Sequence, residues 1–121
     1  MKNVLLSIIL LFSSQAHAQW DTWTQDEQRM FIASNIAITA DWITTRNMTS
    51  RWGEGYYEKN NILGPYPSRD RVDLYLICLL AANYYVADYF GKYKIYYFAY
   101  RTTEHGYAAI SNHNIGLRLS F

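Results

Sequence analysis

Apolar residues along the chain change spacing from stretch to stretch, and each spacing predicts a different element. Val4 to Phe12 reads VLLSIILLF, a nearly unbroken apolar run preceded by Lys2 and followed by Ser13, Ser14, Gln15 and the small-x-small triplet Ala16-His17-Ala18. This predicts a secretory signal peptide over residues 1 to 18. The run is too short to cross the ~30 Å of bilayer hydrocarbon, which argues against an uncleaved anchor. Residues 19 to 121 then have the length of one domain.

From Thr24 the spacing becomes helical. Thr24-x-x-Glu27 has the form of a capping box, and the pattern predicts a first helix from Gln25 to Met48. Its middle carries Phe31, Ile32, Ile36, Trp42 and Ile43 on a broad apolar surface. Ser34, Asp41, Thr44 and Thr45 form a narrower polar stripe, so Asp41 is expected to face away from most of the apolar bulk. Residues 49 to 69 lose the period and hold Gly53, Gly55, Gly64, Pro65 and Pro67 among Trp52, Tyr56, Tyr57 and Tyr66, which reads as a long loop ordered by its aromatics.

Ser68 or Asp70 can cap a second helix from Arg69 to Phe90, with Leu74, Leu76, Ile77, Leu79, Leu80, Ala81 and Ala82 as its apolar centre. Gly91 is suited to ending that helix. A third helix follows from Tyr93 to about Ser111, so helices two and three should form a hairpin with a very short turn. The expected fold is all-α: a small three-helix bundle with that hairpin, the ordered loop after helix one and a short extended C-terminal tail.

Composition sharpens the question of solvent. Hydrophobic residues make up 50% of the chain, charged residues 17%, and Tyr occurs 12 times, which excludes a disordered tail. The net charge of +1 offers no field for a polyanion, so nucleic acid is excluded as a partner. Loss of Lys2 with the signal leaves acidic and basic groups equal in number. Cys78 stands alone, so no intramolecular disulfide can form, and it is expected to pack as a small hydrophobe.

Between Val72 and Phe90 only Asp73 and Asp88 are charged, and the stretch approaches membrane thickness. Tyr84, Tyr85, Tyr89, Phe90, Tyr93, Tyr96, Tyr97, Phe98 and Tyr100 cluster around Lys92 and Lys94 like an interfacial belt. Both features favour membrane lipid as a partner over a strictly soluble bundle, although no uninterrupted apolar run of spanning length follows the signal. In the tail, Ile115, Leu117, Leu119 and Phe121 alternate with other residues, and the terminal Phe resembles the C-terminal signal of outer-membrane β-barrels. Residues 24 to 90 lack such alternation, so a short strand or an extended end packed on the bundle is the expected reading.

Asp41, in the middle of helix one, is the first candidate for chemistry, because a carboxylate in apolar surroundings needs partners. Thr45 or Arg101 can supply a structural partner. Helix three adds Arg101, Glu104 and His105, with Asn112 and His113 two turns on. If helices one and three pack together, Asp41, Glu104 and His105 converge, which would suit acid-base chemistry or metal binding. Glu58 and Asn60 of the loop can join that pocket, which would then hold Asp41, Thr45, Glu58, Asn60, Arg101, Glu104, His105 and Asn112. No cofactor and no metal are expected, His105 and His113 being the candidates if a metal is held. The chain has no His-Glu-x-x-His, Cys pair, Gly-x-Ser-x-Gly or phosphate loop. An internal salt-bridge network that fixes helix register is the expected reading of these residues.

Asp41-Trp42-x-x-Thr45-Arg46, Tyr57-Glu58-x-Asn60-x-x-Leu63-Gly64, Pro67-Ser68, Val72-Asp73 and Asn114-x-Gly116 together resemble a group of small exported proteins of bacteriophages and prophages. The chain departs from that group at Asn60-Asn61, where the group reads Asn-Pro. The resemblance implies a helical, membrane-associated protein of a Gram-negative envelope, and it implies no activity. The resulting expectation is a non-enzymatic exported envelope protein acting in host-envelope modification, lysis or exclusion. Its partners would be lipid or an envelope protein, at the inner membrane or its periplasmic face. The alternatives are a hydrolytic or metal site on Asp41, Glu104 and His105, and an outer-membrane component.

Overall fold

Thr24 begins the first helix in the way its spacing predicts. Its Oγ1 accepts from the Glu27 backbone N–H at 3.2 Å, and the Glu27 carboxylate accepts from the Thr24 N–H at 2.8 Å. In the computed structural model, which describes residues 20–117 and 119, three helices follow: α1 (Gln25–Met48), α2 (Arg69–Tyr89) and α3 (Lys94–Asn114). Short 3-10 turns occur at Trp52–Glu54 and Gly91–Tyr93, and no strand is present among the described residues. The expected signal segment, residues 1 to 18, lies outside the described residues, as do Arg118, Ser120 and Phe121. Ser68 rather than Asp70 caps α2, accepting from the Arg71 N–H at 3.2 Å.

The α2–α3 turn is as short as expected, with Gly91 at φ +49, yet the main packing is α1 against α3. These two run in the same direction at nearly constant register. Glu27 meets Lys94, Phe31 meets Phe98, Asp41 meets His105 and Thr45 meets Asn112. α2 runs back between them in sequence and is clasped to α1 by Asp73, which accepts from Trp42 Nε1 at 2.8 Å and Arg46 Nε at 3.0 Å.

The inward face of α1 differs from the expected one. Ser34, Thr44 and Thr45 are buried, whereas Ile32 and Ile36 are 50% and 66% exposed. The hydroxyls of Ser34 and Thr44 bond back to carbonyls of the preceding turn, at Phe31 and at Ala40 and Asp41, so they can be buried as small, satisfied groups. A stripe of short side chains lets the neighbouring helices approach closely, and the larger isoleucines are left outside. On α2, Val72, Leu76, Asn83 and Ala87 form the buried row. Leu74, Ile77 and Cys78 lie on the opposite side, so Cys78 is exposed rather than packed as a small hydrophobe.

No helix among the described residues is long and apolar enough to cross a membrane, although the stretch from Val72 to Phe90 approaches membrane thickness in length. Its Asn83 and its charged ends interrupt the apolar run. The tail differs too. α3 continues to Asn114, and Gly116 at φ +97 closes it, with the Gly116 N–H bonded to the His113 carbonyl and the Leu117 N–H to the Asn112 carbonyl, each at 3.0 Å. Ile115 and Leu119 are exposed while Leu117 is 1% exposed, so the alternation from 115 to 119 marks a helix cap and not a strand.

Candidate functional site

The parallel register of α1 and α3 brings Asp41 opposite His105. His105 Nδ1 lies 2.6 Å from Asp41 Oδ2, and the Thr45 hydroxyl donates to Asp41 Oδ1 at 3.1 Å. A carboxylate only accepts, so its partner fixes the imidazole hydrogen on Nδ1. Two turns beyond His105, Asn112 Nδ2 donates to Thr44 Oγ1 at 3.1 Å. His105 is 5% exposed, and its Nε2 has no hydrogen-bond partner among the described residues. Glu104 Oε2 lies 3.7 Å from that nitrogen, beyond hydrogen-bond range. Glu104 is instead engaged by Arg101 at 2.8 Å, while Arg101 Nε also reaches the Tyr97 hydroxyl at 3.3 Å. Burial works against the Arg101 charge, but those two hydrogen bonds outweigh it and raise its pKa above the ordinary arginine value.

The loop after α1 supplies the opposite wall. Asn60 organises it: its backbone carbonyl accepts from the Gly64 N–H, its side-chain oxygen from the Ile62 N–H, and its amide donates to the Tyr75 hydroxyl of α2 at 3.0 Å. Gly64 takes φ +80 at the turn's end, a conformation glycine adopts without strain. Glu58 Oε1 accepts from the Asn60 N–H at 2.8 Å. Burial pushes the Glu58 carboxyl above the ordinary range, the Asn60 N–H opposes that shift, and the nearby charge of Asp41 adds to it.

Asp41, Thr45, Glu58, Asn60, Arg101, Glu104, His105 and Asn112 all line one cleft of about 610 Å³ between α1, α3 and the loop. His113 does not join them; it stands on the exposed side of α3. Among the described residues no set of three His, Cys, Asp or Glu side chains is arranged to hold a metal ion, so the metal version of the Asp41, Glu104 and His105 site has no ligand set. Arg101, the structural partner considered for Asp41, pairs with Glu104 instead.

Sequence reasoning missed Tyr57, Tyr75, Tyr107 and Ser111, which also line the cleft. Tyr107 and Ser111 lie within a turn or two of His105, a spacing that was available to read. The α1–α2 clasp was missed as well, although Trp42 and Arg46 stand four apart on one helix face and both donate to Asp73. A buried contact of Asn83 with Ser34 and Asn35, each at 2.9 Å, had no signal in the sequence. No protein-family model, curated protein or solved structure matches the chain.

Proposed function

We propose that this chain is a non-enzymatic, exported envelope protein of phage type that acts on a membrane surface rather than through a membrane span. The observation that carries this reading is the corner between α2 and α3. There Tyr89 is 93% exposed, Phe90, Tyr93, Tyr96 and Tyr100 also stand in solvent, and the Lys92 ammonium lies 5.0 Å from the Tyr93 ring centre. Rings with a polar tip beside a lysine suit headgroup depth, where the ring leaves water and the hydroxyl and ammonium keep it. Lipid is the primary partner on this reading, with an envelope protein as a second, at the periplasmic face of the inner membrane. Host-envelope modification, lysis and exclusion of competing phages are roles compatible with such a position.

The test is sedimentation of the signal-free protein with phosphatidylethanolamine and phosphatidylglycerol vesicles. Binding is expected, and Tyr93→Ser with Tyr96→Ser should weaken it about tenfold, the effect of losing roughly 1.4 kcal/mol of ring burial. Protein left in the supernatant at every lipid concentration would end this reading. The specific observation favouring a second reading, a hydrolytic site, is the unpartnered His105 Nε2 beside Asp41.

A further inference from the structure

His105 Nε2 is a buried hydrogen-bonding atom with no partner among the described residues. Asp41 accepts from Nδ1, and in that tautomer Nε2 is an acceptor. An unmet acceptor in a low-dielectric wall costs about 1–3 kcal/mol unless something from outside meets it. Glu104 cannot, since its carboxylate is also an acceptor. It roofs Nε2 at 3.7 Å and is the most exposed of the cleft's three carboxyl groups, so it is the side chain that a ligand would displace.

The charges of the walls decide what kind of ligand fits. The walls set Asp41 and Glu104 against Arg101 and Lys59, and burial pushes Glu58 toward its neutral acid. An ionic ligand therefore meets walls whose opposite charges are already equal in number. A ligand that donates an O–H bond finds an acceptor at Nε2. Tyr57 and Tyr107 are 56% and 75% exposed and line the same cleft, offering flat ring faces to an apolar C–H surface. The volume of about 610 Å³ falls within the range of small-molecule sites.

We propose that this cleft binds an uncharged, hydroxyl-rich ring compound of the sugar class, with one hydroxyl donating to His105 Nε2 and a tyrosine ring covering its C–H face. The site is independent of the membrane reading and stands or falls separately. A free saccharide and a cell-wall glycan share this chemistry, so the probes are maltotriose and the trimer of N-acetylglucosamine. Each is titrated into the signal-free protein while the His105 imidazole nitrogens are followed by NMR.

The expected result is a saturable shift of Nε2 with Kd of about 1 mM or tighter for at least one probe, the stronger one identifying the source. Tyr107→Ala, at an exposed position, should leave the helical circular dichroism unchanged and weaken binding about tenfold, in line with one lost ring contact. No movement of Nε2 with either trisaccharide at about 10 mM, some tenfold above the expected Kd, would overturn the proposal. An equal response to the polyamine spermidine would overturn the uncharged class, and full binding by Tyr107→Ala would overturn the ring's role.

Discussion

Near the starts of α1 and α3, Trp23, Phe31, Tyr84 and Phe98 pack ring on ring with centres 4.9 to 5.6 Å apart. Three turns along the same helix pair, Asp41, His105, Thr45 and Asn112 meet through hydrogen bonds beside an open cleft. The register is shared, but the materials are opposite. At the aromatic end burial is complete for Phe98, and edge-on and stacked rings fill the space. At the polar end a comparable stretch of helix leaves a buried ring nitrogen of His105 without a partner among the described residues and about 610 Å³ open. One end is built for stability, and the other keeps groups available at some cost to it.

The sharpest way to break this contrast is Phe98→Ala, which removes a 0% exposed ring from the aromatic cluster. A loss of about 3–5 kcal/mol is expected in urea unfolding, from lost burial plus the cavity left behind. Asp41→Asn should cost less, about 2 kcal/mol, because it keeps the shape while removing the charge from the hydrogen bonds of His105 and Thr45. If Asp41→Asn proved costlier than Phe98→Ala, the polar end would be the real anchor and the contrast would be reversed.

The smallest effect is at Glu58. Its folded pKa is raised above the ordinary 4.5, so the folded state holds the proton more tightly than the unfolded chain does. The stability it contributes is therefore greatest below pH 4.5 and falls as pH rises through the folded value. Glu58→Gln keeps an acceptor for the Asn60 N–H and removes the charge near Asp41. Melting curves should show the variant about 2 °C higher at pH 7 and level with the parent at pH 4. A lower melting point at pH 7 would mean that the ionised carboxylate is needed where it stands.

Much of the local architecture was legible. The Thr24 capping box, the Ser68 cap and the glycine stop at 91 each act within a few residues, where hydrogen bonding and backbone freedom decide the outcome. The convergence of Asp41, Glu104 and His105 was legible only on the condition that helices one and three pair. The inward face of α1 was not legible from hydrophobicity, because Thr44 at 0% exposure satisfies its hydroxyl within its own helix. Cys78 was misplaced for a similar reason: within an apolar helix, composition cannot say which row turns inward.

The sequence by itself determined three helices, their caps and turns, and the set of polar residues able to form a site. These depend on interactions within a turn or two of the chain, which spacing encodes directly. Tertiary structure decided that α1 and α3 run parallel in one register, that hydroxyls face inward while Ile32 and Ile36 face out, and that Asp41 claims Nδ1 of His105 and leaves Nε2 unmet. Those outcomes depend on which helix faces meet, a global choice among packings of similar local energy, and no spacing within one helix can express it.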